Sequence, residues 1–187
     1  MQATEWQKSL AMRITMSRIV MVPITVAFMW PNQLKWNIVA AAVFLLASIT
    51  DYYDGYFARK YQSVSNMGKF MDPIADKILV TSILAMLLSQ GKIAVAMVII
   101  ILARDNFIGG LRSVAAADHI IIDAKPSGKW KTAMQMVAIP IVIIGNMEPY
   151  IPYLDKIGHG VLWVSVILSI TSGIEYYVGY MKNRKKV

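Results

Sequence analysis

Apolar stretches long enough to cross a lipid bilayer recur along this 187-residue chain. A helix of about 20 apolar residues spans a hydrocarbon core of roughly 30 Å. Hydrophobic residues make up 57% of the chain and the mean hydropathy is +0.51, which is too apolar for a soluble protein of this size. The chain has no cysteine, which excludes disulfides and thiolate chemistry. The sequence therefore predicts an all-α integral membrane protein.

Six spans are predicted, with Pro, Gly or polar residues between them. They cover about residues 14–30, 36–50 with a continuation into an acidic stretch, a third helix to about 88, 93–103 with an extension to 117, 132–144 and 161–180. Residues 1–13 are polar and are predicted to form a short helix on the membrane surface. We expect one domain over residues 1–187. It comprises this interfacial segment, a six-helix bundle over 14–181 and a basic tail over 182–187.

The distribution of basic residues predicts the orientation of the bundle. Six spans place both termini on the same side of the membrane. Of the nineteen Lys and Arg residues, sixteen fall on the side assigned to the cytoplasm. The other three, Lys35, Lys92 and Lys156, fall outside. This positive-inside bias predicts that both termini are cytoplasmic, and it explains the net charge of +8 without a nucleic-acid partner.

The most informative polar stretch runs from Asp51 to Asp76, at the cytoplasmic edge of the predicted bundle. Asp51 and Asp54 are spaced i, i+3, and Asp72 and Asp76 are spaced i, i+4, so each pair shares one face of a helix. Two such faces turned toward each other would form a pocket of oxygen ligands that suits Mg²⁺ or Mn²⁺. A pair of such ions commonly clamps a phosphate under attack. This pattern predicts a metal-dependent phosphotransferase with a lipid-linked substrate.

The acidic stretch also carries a longer pattern with fixed gaps. It reads Asp51-x-x-Asp54-Gly55-x-x-Ala58-Arg59, eight residues, then Gly68-x-x-x-Asp72-x-x-x-Asp76. This pattern resembles the signature of the CDP-alcohol phosphotransferase family, with the same residues and the same spacer lengths. The resemblance implies six transmembrane helices, a homodimer, a divalent-metal site and transfer of a phosphatidyl-type group from a CDP-linked lipid to an alcohol.

Each position of the pattern can be given a chemical role. The four aspartates would be metal ligands, and Asp76 would also act as the general base for the acceptor hydroxyl, a role that the resemblance supports. Glycines let a ligand approach the backbone closely, and Arg59 offers a planar charged fork for phosphate oxygens. The residues expected to bind the CDP-lipid are Asp51, Asp54, Gly55, Ala58, Arg59 and Gly68.

A second basic patch follows in the extension of the fourth span and in the loop just before the fifth span. Its four cations are Arg104, Arg112, Lys129 and Lys131, and Gln135 lies one helical turn beyond Lys131. So much positive charge predicts a pocket for an acceptor that carries a phosphate. Serine and inositol carry no phosphate and would not require these cations. Within the family, the patch resembles that of members which use sn-glycerol 3-phosphate as the acceptor and CDP-diacylglycerol as the donor. Inositol phosphate and phosphatidylglycerol are alternative acceptors.

The resemblance has one departure near the start of the chain. Relatives often carry a Pro-Asn pair ahead of the first span, followed by a Thr and an Arg. Here Thr15 and Arg18 fit and are further candidate site residues, whereas Ala11 and Met12 replace the pair. The resemblance is weak beyond residue 145. In that region Glu175 is expected to be buried and to form a hydrogen bond between helices rather than to act in catalysis.

Two other classes of protein also place carboxylates in membrane helices. A cation transporter would hold them near the membrane midplane on broken helices, whereas here they cluster at one edge beside Arg59. A prenyltransferase would show two separated Asp-rich segments without the glycine framework. The preferred interpretation is an enzyme in the cytoplasmic membrane of a bacterium, with its active site facing the cytoplasm.

Overall fold

The computed structural model describes residues 5–60, 66–118, 126–145 and 151–184. It describes side chains for residues 16–50, 74, 75, 77–118, 126–145 and 151–184. Within these residues the chain forms six helices, which confirms the predicted all-α class. The helices are α1 Glu5–Met29, α2 Leu34–Lys60, α3 Asn66–Ser89, α4 Val95–Ala117, α5 Pro126–Ile144 and α6 Leu154–Arg184.

The predicted breaks after the first and third helices are confirmed. Asn32, which follows Pro31, has a φ of +49°, and Gly91 has a φ of +70°. The backbone N–H groups of Gly91 and Lys92 donate to carbonyls in the last turn of α3, each at 2.9 Å. Gly145 ends α5 in the same left-handed conformation, with a φ of +73°. Glycine is favoured at such helix ends because a side chain makes positive φ sterically unfavourable.

Three helix starts differ from the prediction. The first helix is continuous from Glu5, because no glycine or proline interrupts residues 5–22, so the polar N-terminal residues are not set apart as a separate helix. The fifth helix begins at Pro126, since proline is well suited to the first helical position. The sixth begins at Leu154, with Asp155 favourably placed in its first turn. As a result, Lys131 lies on α5 itself rather than in a loop.

Apolar side chains from all six helices fill one continuous core. α1 packs against α2 and α3, α5 packs most extensively against α6, and α4 also packs against α6. Large members of this core that are fully buried include Phe44, Leu79, Ile83, Ile101, Ile139 and Leu162.

The outside of the bundle is apolar as well. Soluble proteins rarely expose such extensive apolar surface, whereas lipid tails match it. α6 is long and apolar enough to cross a bilayer, and shorter apolar stretches occupy residues 16–29, 34–50 and 77–89 of the described chain. That all six helices cross the membrane stays a prediction. Side chains that are more than half exposed include Val20, Leu46, Ile99, Val137, Ile167 and Val178.

One end of the bundle is joined by hydrogen bonds to helix-terminal carbonyls. Gln90 Nε2 donates to the carbonyl of Met29 at 2.6 Å, and Lys92 Nζ donates to that of Ile143 at 3.0 Å. His159 Nε2 lies 2.6 Å from the carbonyl of Lys92. The ends of α1, α3 and α5 and the start of α6 therefore meet here. We call this the turn end, and the opposite end, which holds the acidic stretch, the motif end.

Candidate functional site

The acidic stretch lies on two helices, as its spacing predicts. Asp51 and Asp54 lie near the end of α2, and Asp72 and Asp76 lie near the start of α3. The two helices are separated only by residues 61–65, and a chain of that length reaches at most about 22 Å. All four aspartates therefore belong to the motif end of the bundle.

Several of the predicted site side chains lie outside the described residues, so their roles stay predictions. The donor set of the four aspartates consists of carboxylate oxygens, which fits a hard divalent cation such as Mg²⁺ or Mn²⁺. Among the side chains that the structure describes, no cluster of three His, Asp or Glu offers a different metal site. The predicted site residues whose side chains or surroundings are not described are Thr15, Asp51, Asp54, Gly55, Ala58, Arg59, Gly68, Asp72 and Asp76.

Two of the four predicted acceptor-binding cations meet at one carboxylate. Lys131 Nζ donates to Oδ1 and Oδ2 of Asp105 at 2.8 and 2.7 Å, and Arg104 Nη1 donates to Oδ1 at 3.0 Å. Lys131 is buried, and a buried charge is costly unless it is paired. Asp105 therefore stabilises both cations in this position and offsets part of their charge.

The last helix orients both arginines of the patch. Arg104 donates to Ser172 Oγ from Nε at 3.2 Å and from Nη2 at 2.8 Å, and Arg112 Nη2 donates to the hydroxyl of Tyr176 at 2.8 Å. The ring of Tyr176 lies 5.9 Å from Cζ of Arg104 and 5.1 Å from Cζ of Arg112, within the range of a cation–π interaction. Ser172 and Tyr176 are buried, so these contacts hold the guanidinium groups in fixed orientations.

The other predicted residues of this region lie in different surroundings. Lys129 is exposed in the first turn of α5, two residues before the buried Lys131, and Arg18 is buried in α1. The expectation that Glu175 is buried is wrong, because it lies on an exposed face of α6. Its predicted hydrogen bond between helices is confirmed, since Ser127 Oγ of α5 donates to Glu175 Oε2 at 2.5 Å.

Lys77 connects the helix of Asp72 and Asp76 to the second basic patch. We call this patch the acceptor patch; it consists of Arg104, Arg112, Lys129 and Lys131. It follows Asp76 in α3, and its Nζ donates to the backbone carbonyl of Asp105 at 2.9 Å. Gly109 makes room for this contact, because a Cβ at that position would lie 2.6 Å from Lys77 Nζ. The acidic stretch and the acceptor patch are therefore neighbours, although 28 residues separate Lys77 from Asp105.

A small cavity of about 50 Å³ lies between α3, α4 and α5, where these groups meet. Its charged lining comes from Lys77, Asp105 and Lys131, and its neutral polar lining includes Thr81 and Gln135. Such a cavity can hold a small molecule that carries both a charged group and hydroxyls. The full lining is Lys77, Val80, Thr81, Leu102, Asp105, Asn106, Lys131, Thr132, Gln135 and Met136.

Sequence reasoning missed Lys77, Ser172 and Tyr176. Nothing in the sequence distinguishes Lys77 from the other basic residues on the cytoplasmic side. Ser172 and Tyr176 fall where the family resemblance is weak. Their one signal was their i, i+4 spacing, which places two polar side chains on the same face of an apolar helix.

Comparison with known proteins confirms the expected family. The model of the CDP-alcohol phosphatidyltransferase family matches residues 8–171, which include both the acidic stretch and the acceptor patch. The chain therefore belongs to this family, whose members are lipid-modifying transferases associated with membranes.

Three similar proteins indicate a particular member of the family. A protein of Rickettsia bellii is 37% identical and one of Bacillus subtilis is 35% identical, and both alignments cover 88% of this chain and 91% of the relative. A protein of Rickettsia typhi is 38% identical over 91% of this chain and 96% of its own length. All three are named CDP-diacylglycerol–glycerol-3-phosphate 3-phosphatidyltransferase.

Proposed function

We propose that this chain transfers a phosphatidyl group from CDP-diacylglycerol to sn-glycerol 3-phosphate, giving phosphatidylglycerol phosphate and CMP. Membership of the family and the names of its relatives support this donor and acceptor. The structural observation that carries the proposal is the contact of Lys77 with Asp105, because it brings the helix of Asp72 and Asp76 next to the acceptor patch. Donor and acceptor sites that are neighbours allow direct transfer between the two substrates.

The reaction forms one bond to phosphorus and breaks another. A hydroxyl oxygen of the acceptor attacks the phosphorus that carries the diacylglycerol. The bond from that phosphorus to the bridging oxygen of CMP breaks, and CMP leaves with the electron pair. A carboxylate oxygen of Asp76 takes the proton from the attacking hydroxyl. This assignment uses the position of Asp76 one turn beyond Asp72 on α3.

The diphosphate of the donor would lie against the acidic stretch. Asp51, Asp54, Asp72 and Asp76 would hold one or two Mg²⁺ or Mn²⁺ ions. Such ions, when bound, neutralise the charge that develops on the diphosphate and make CMP a better leaving group. Arg59 would add two parallel hydrogen bonds to phosphate oxygens. The absence of large side chains at three further positions would leave room for the CDP-lipid; these are Gly55, Ala58 and Gly68.

The acceptor phosphate would be bound by Arg104, Arg112, Lys129 and Lys131. Charge-assisted hydrogen bonds of this kind are roughly twice as strong as neutral ones. The carboxylate of Asp105 is shared by Arg104 and Lys131 in the structure. It would keep both side chains oriented toward the acceptor phosphate.

We also propose that all six helices cross the cytoplasmic membrane of a bacterium and that the protein is a homodimer, as the family resemblance implies. The apolar outer surface of the bundle and the length of α6 support a membrane location. The excess of basic residues on one side supports cytoplasmic termini and a cytoplasmic active site. The bacterial source of the relatives supports the choice of membrane.

The proposed reaction is tested by supplying purified protein with CDP-diacylglycerol and one acceptor at a time, and measuring CMP release. We expect release with sn-glycerol 3-phosphate and little with inositol phosphate, phosphatidylglycerol or serine. A chelator should abolish the activity, and added Mg²⁺ or Mn²⁺ should restore it. Activity with serine but none with glycerol 3-phosphate would contradict the proposed acceptor.

A further inference from the structure

The cavity between α3, α4 and α5 contains a buried hydrogen-bond donor without an acceptor. Gln135 is 2% exposed, and its Nε2 has no hydrogen-bond partner within the part of the chain that the structure describes. A buried amide N–H that lacks an acceptor is destabilising. Because Gln135 lines the cavity, a molecule bound there is well placed to supply the missing acceptor.

The lining of the cavity changes from charged to neutral toward the interior of the bundle. Lys77, Asp105 and Lys131 lie nearer the motif end, whereas Gln135 lies one helical turn, about 6 Å, further along α5. Thr81 likewise lies one turn beyond Lys77 on α3. The cations suit a phosphate, and a neutral amide beside a threonine suits an uncharged hydroxyl group.

The size of the cavity limits what can lie against Gln135. At about 50 Å³ it has room for roughly three to five water-sized groups, since a single water needs about 10–15 Å³. A three-carbon polyol matches this space better than a six-membered polyol ring. The apolar side chains of Val80, Leu102 and Met136 close the remaining walls.

We propose that Gln135 is a specificity-determining residue, whose Nε2 donates a hydrogen bond to the secondary hydroxyl of glycerol 3-phosphate. This inference rests on the proposed function. The hydroxyl accepts from the amide, and its own proton can be donated to Asp105, which lines the same cavity. The amide thus recognises the polyol part of the acceptor, while the cations bind its phosphate.

The test compares two acceptors that differ only in this hydroxyl. Glycerol 3-phosphate and propane-1,3-diol monophosphate, which lacks the secondary hydroxyl, are each supplied with CDP-diacylglycerol to the wild type and to Gln135→Leu. We expect the substitution to lower kcat/KM for glycerol 3-phosphate by about tenfold and to change that for the deoxy acceptor by less than about twofold, because only the first loses a hydrogen bond. The KM for CDP-diacylglycerol should not change.

Two further variants keep the result decisive. Gln135→Met preserves the length of the side chain without its amide and should behave like Gln135→Leu, which guards against a packing defect of the branched side chain. Lys131→Met removes a phosphate-binding cation and should lower kcat/KM for both acceptors by the same factor. If both Gln135 variants lower kcat/KM by the same factor for the two acceptors, or lower it for neither acceptor, the inference is wrong. Absence of any turnover of glycerol 3-phosphate by the wild type would instead contradict the proposed function.

Discussion

The two ends of the bundle use polar side chains in different ways. At the turn end, Gln90 and Lys92 donate to backbone carbonyls in the last turns of other helices. At the motif end, Arg104 and Lys131 bind side chains, chiefly the carboxylate of Asp105. Burial also lowers the pKa of Lys92, against the opposing effect of the negative charge on Asp155.

This difference separates polar groups that complete helix ends from polar groups that pair with other side chains. The last carbonyls of a helix have no partner within it, so a side chain that donates to them completes the helix end. Such a contact has no reason to be exchanged for a ligand. Cations held by a carboxylate and a hydroxyl already bind the kind of oxygen atom that a phosphate presents. The motif end is therefore suited to exchange of ligands, and the turn end to joining the helices.

The largest expected effect is at Asp76, at the motif end. Asp76→Asn keeps the shape of the side chain but removes the proposed general base, so we expect turnover to fall by about 10²- to 10⁴-fold. Binding of CDP-diacylglycerol should persist, which can be measured with a fluorescent CDP-lipid by equilibrium binding. Turnover equal to that of the wild type would remove Asp76 from this role.

A smaller effect is expected where α3 meets α4. Gly109→Ala places a Cβ at 2.6 Å from Lys77 Nζ, so the end of the lysine side chain must shift, which weakens or breaks its hydrogen bond to the carbonyl of Asp105. The hydrogen bond is worth about 0.5–1.5 kcal/mol, and because it aligns α3 with α4, its loss should lower kcat/KM by at most roughly tenfold, measured by CMP release. Gly110→Ala is the matched control, because a Cβ there meets open space and should change little.

A double-mutant cycle isolates the contact itself. In a Lys77→Met background the substitution Gly109→Ala should have no further effect. Methionine has no Nζ, so the new Cβ has no hydrogen bond to disturb. Additive losses in kcat/KM would show that Gly109 acts through something other than Lys77.

The smallest effect on activity is expected at the turn end. His159 contacts the carbonyls of Lys92 and Asp155 at 2.6 and 2.9 Å. A neutral imidazole can donate to one of the two carbonyls, and the positively charged imidazolium can donate to both. His159→Leu should lower the free energy of unfolding by about 1–3 kcal/mol, measured in detergent by thermal denaturation, since two partly buried carbonyls lose the contact with the ring. At temperatures well below unfolding, kcat/KM should stay within about twofold of the wild type. A large loss of activity without loss of stability would contradict the separation of the two ends.

Local features of the fold were predictable from the sequence. The breaks at Pro31-Asn32 and Gly91 follow from conformations that these residues favour within one turn. The i, i+3 and i, i+4 spacings of the aspartates correctly placed both pairs on helices. The start of α5 was misplaced because a polar segment that contains Pro126 and Gly128 resembles a loop, although proline is favoured at a first helical position.

The contacts that assemble the proposed acceptor site were not predictable in the same way. Ser172 lies 68 residues from Arg104, and Tyr176 lies 64 residues from Arg112. Which residues of α6 face α4 depends on the rotation of each helix about its axis, and that rotation is decided by packing against the whole core. The exposed position of Glu175, one residue before the buried Tyr176, shows how sharply the side-chain environment changes around a helix.

The sequence by itself determined the family and the class of chemistry, because a motif with fixed gaps specifies which carboxylates share a helix face. Only the tertiary structure decided that Asp105 is the shared partner of Lys131 and Arg104, that Gly109 gives space to Lys77, and that the amide of Gln135 lines the same cavity. Spacing along a chain acts over one or two turns, whereas these contacts join separate helices and exist only once the bundle has packed.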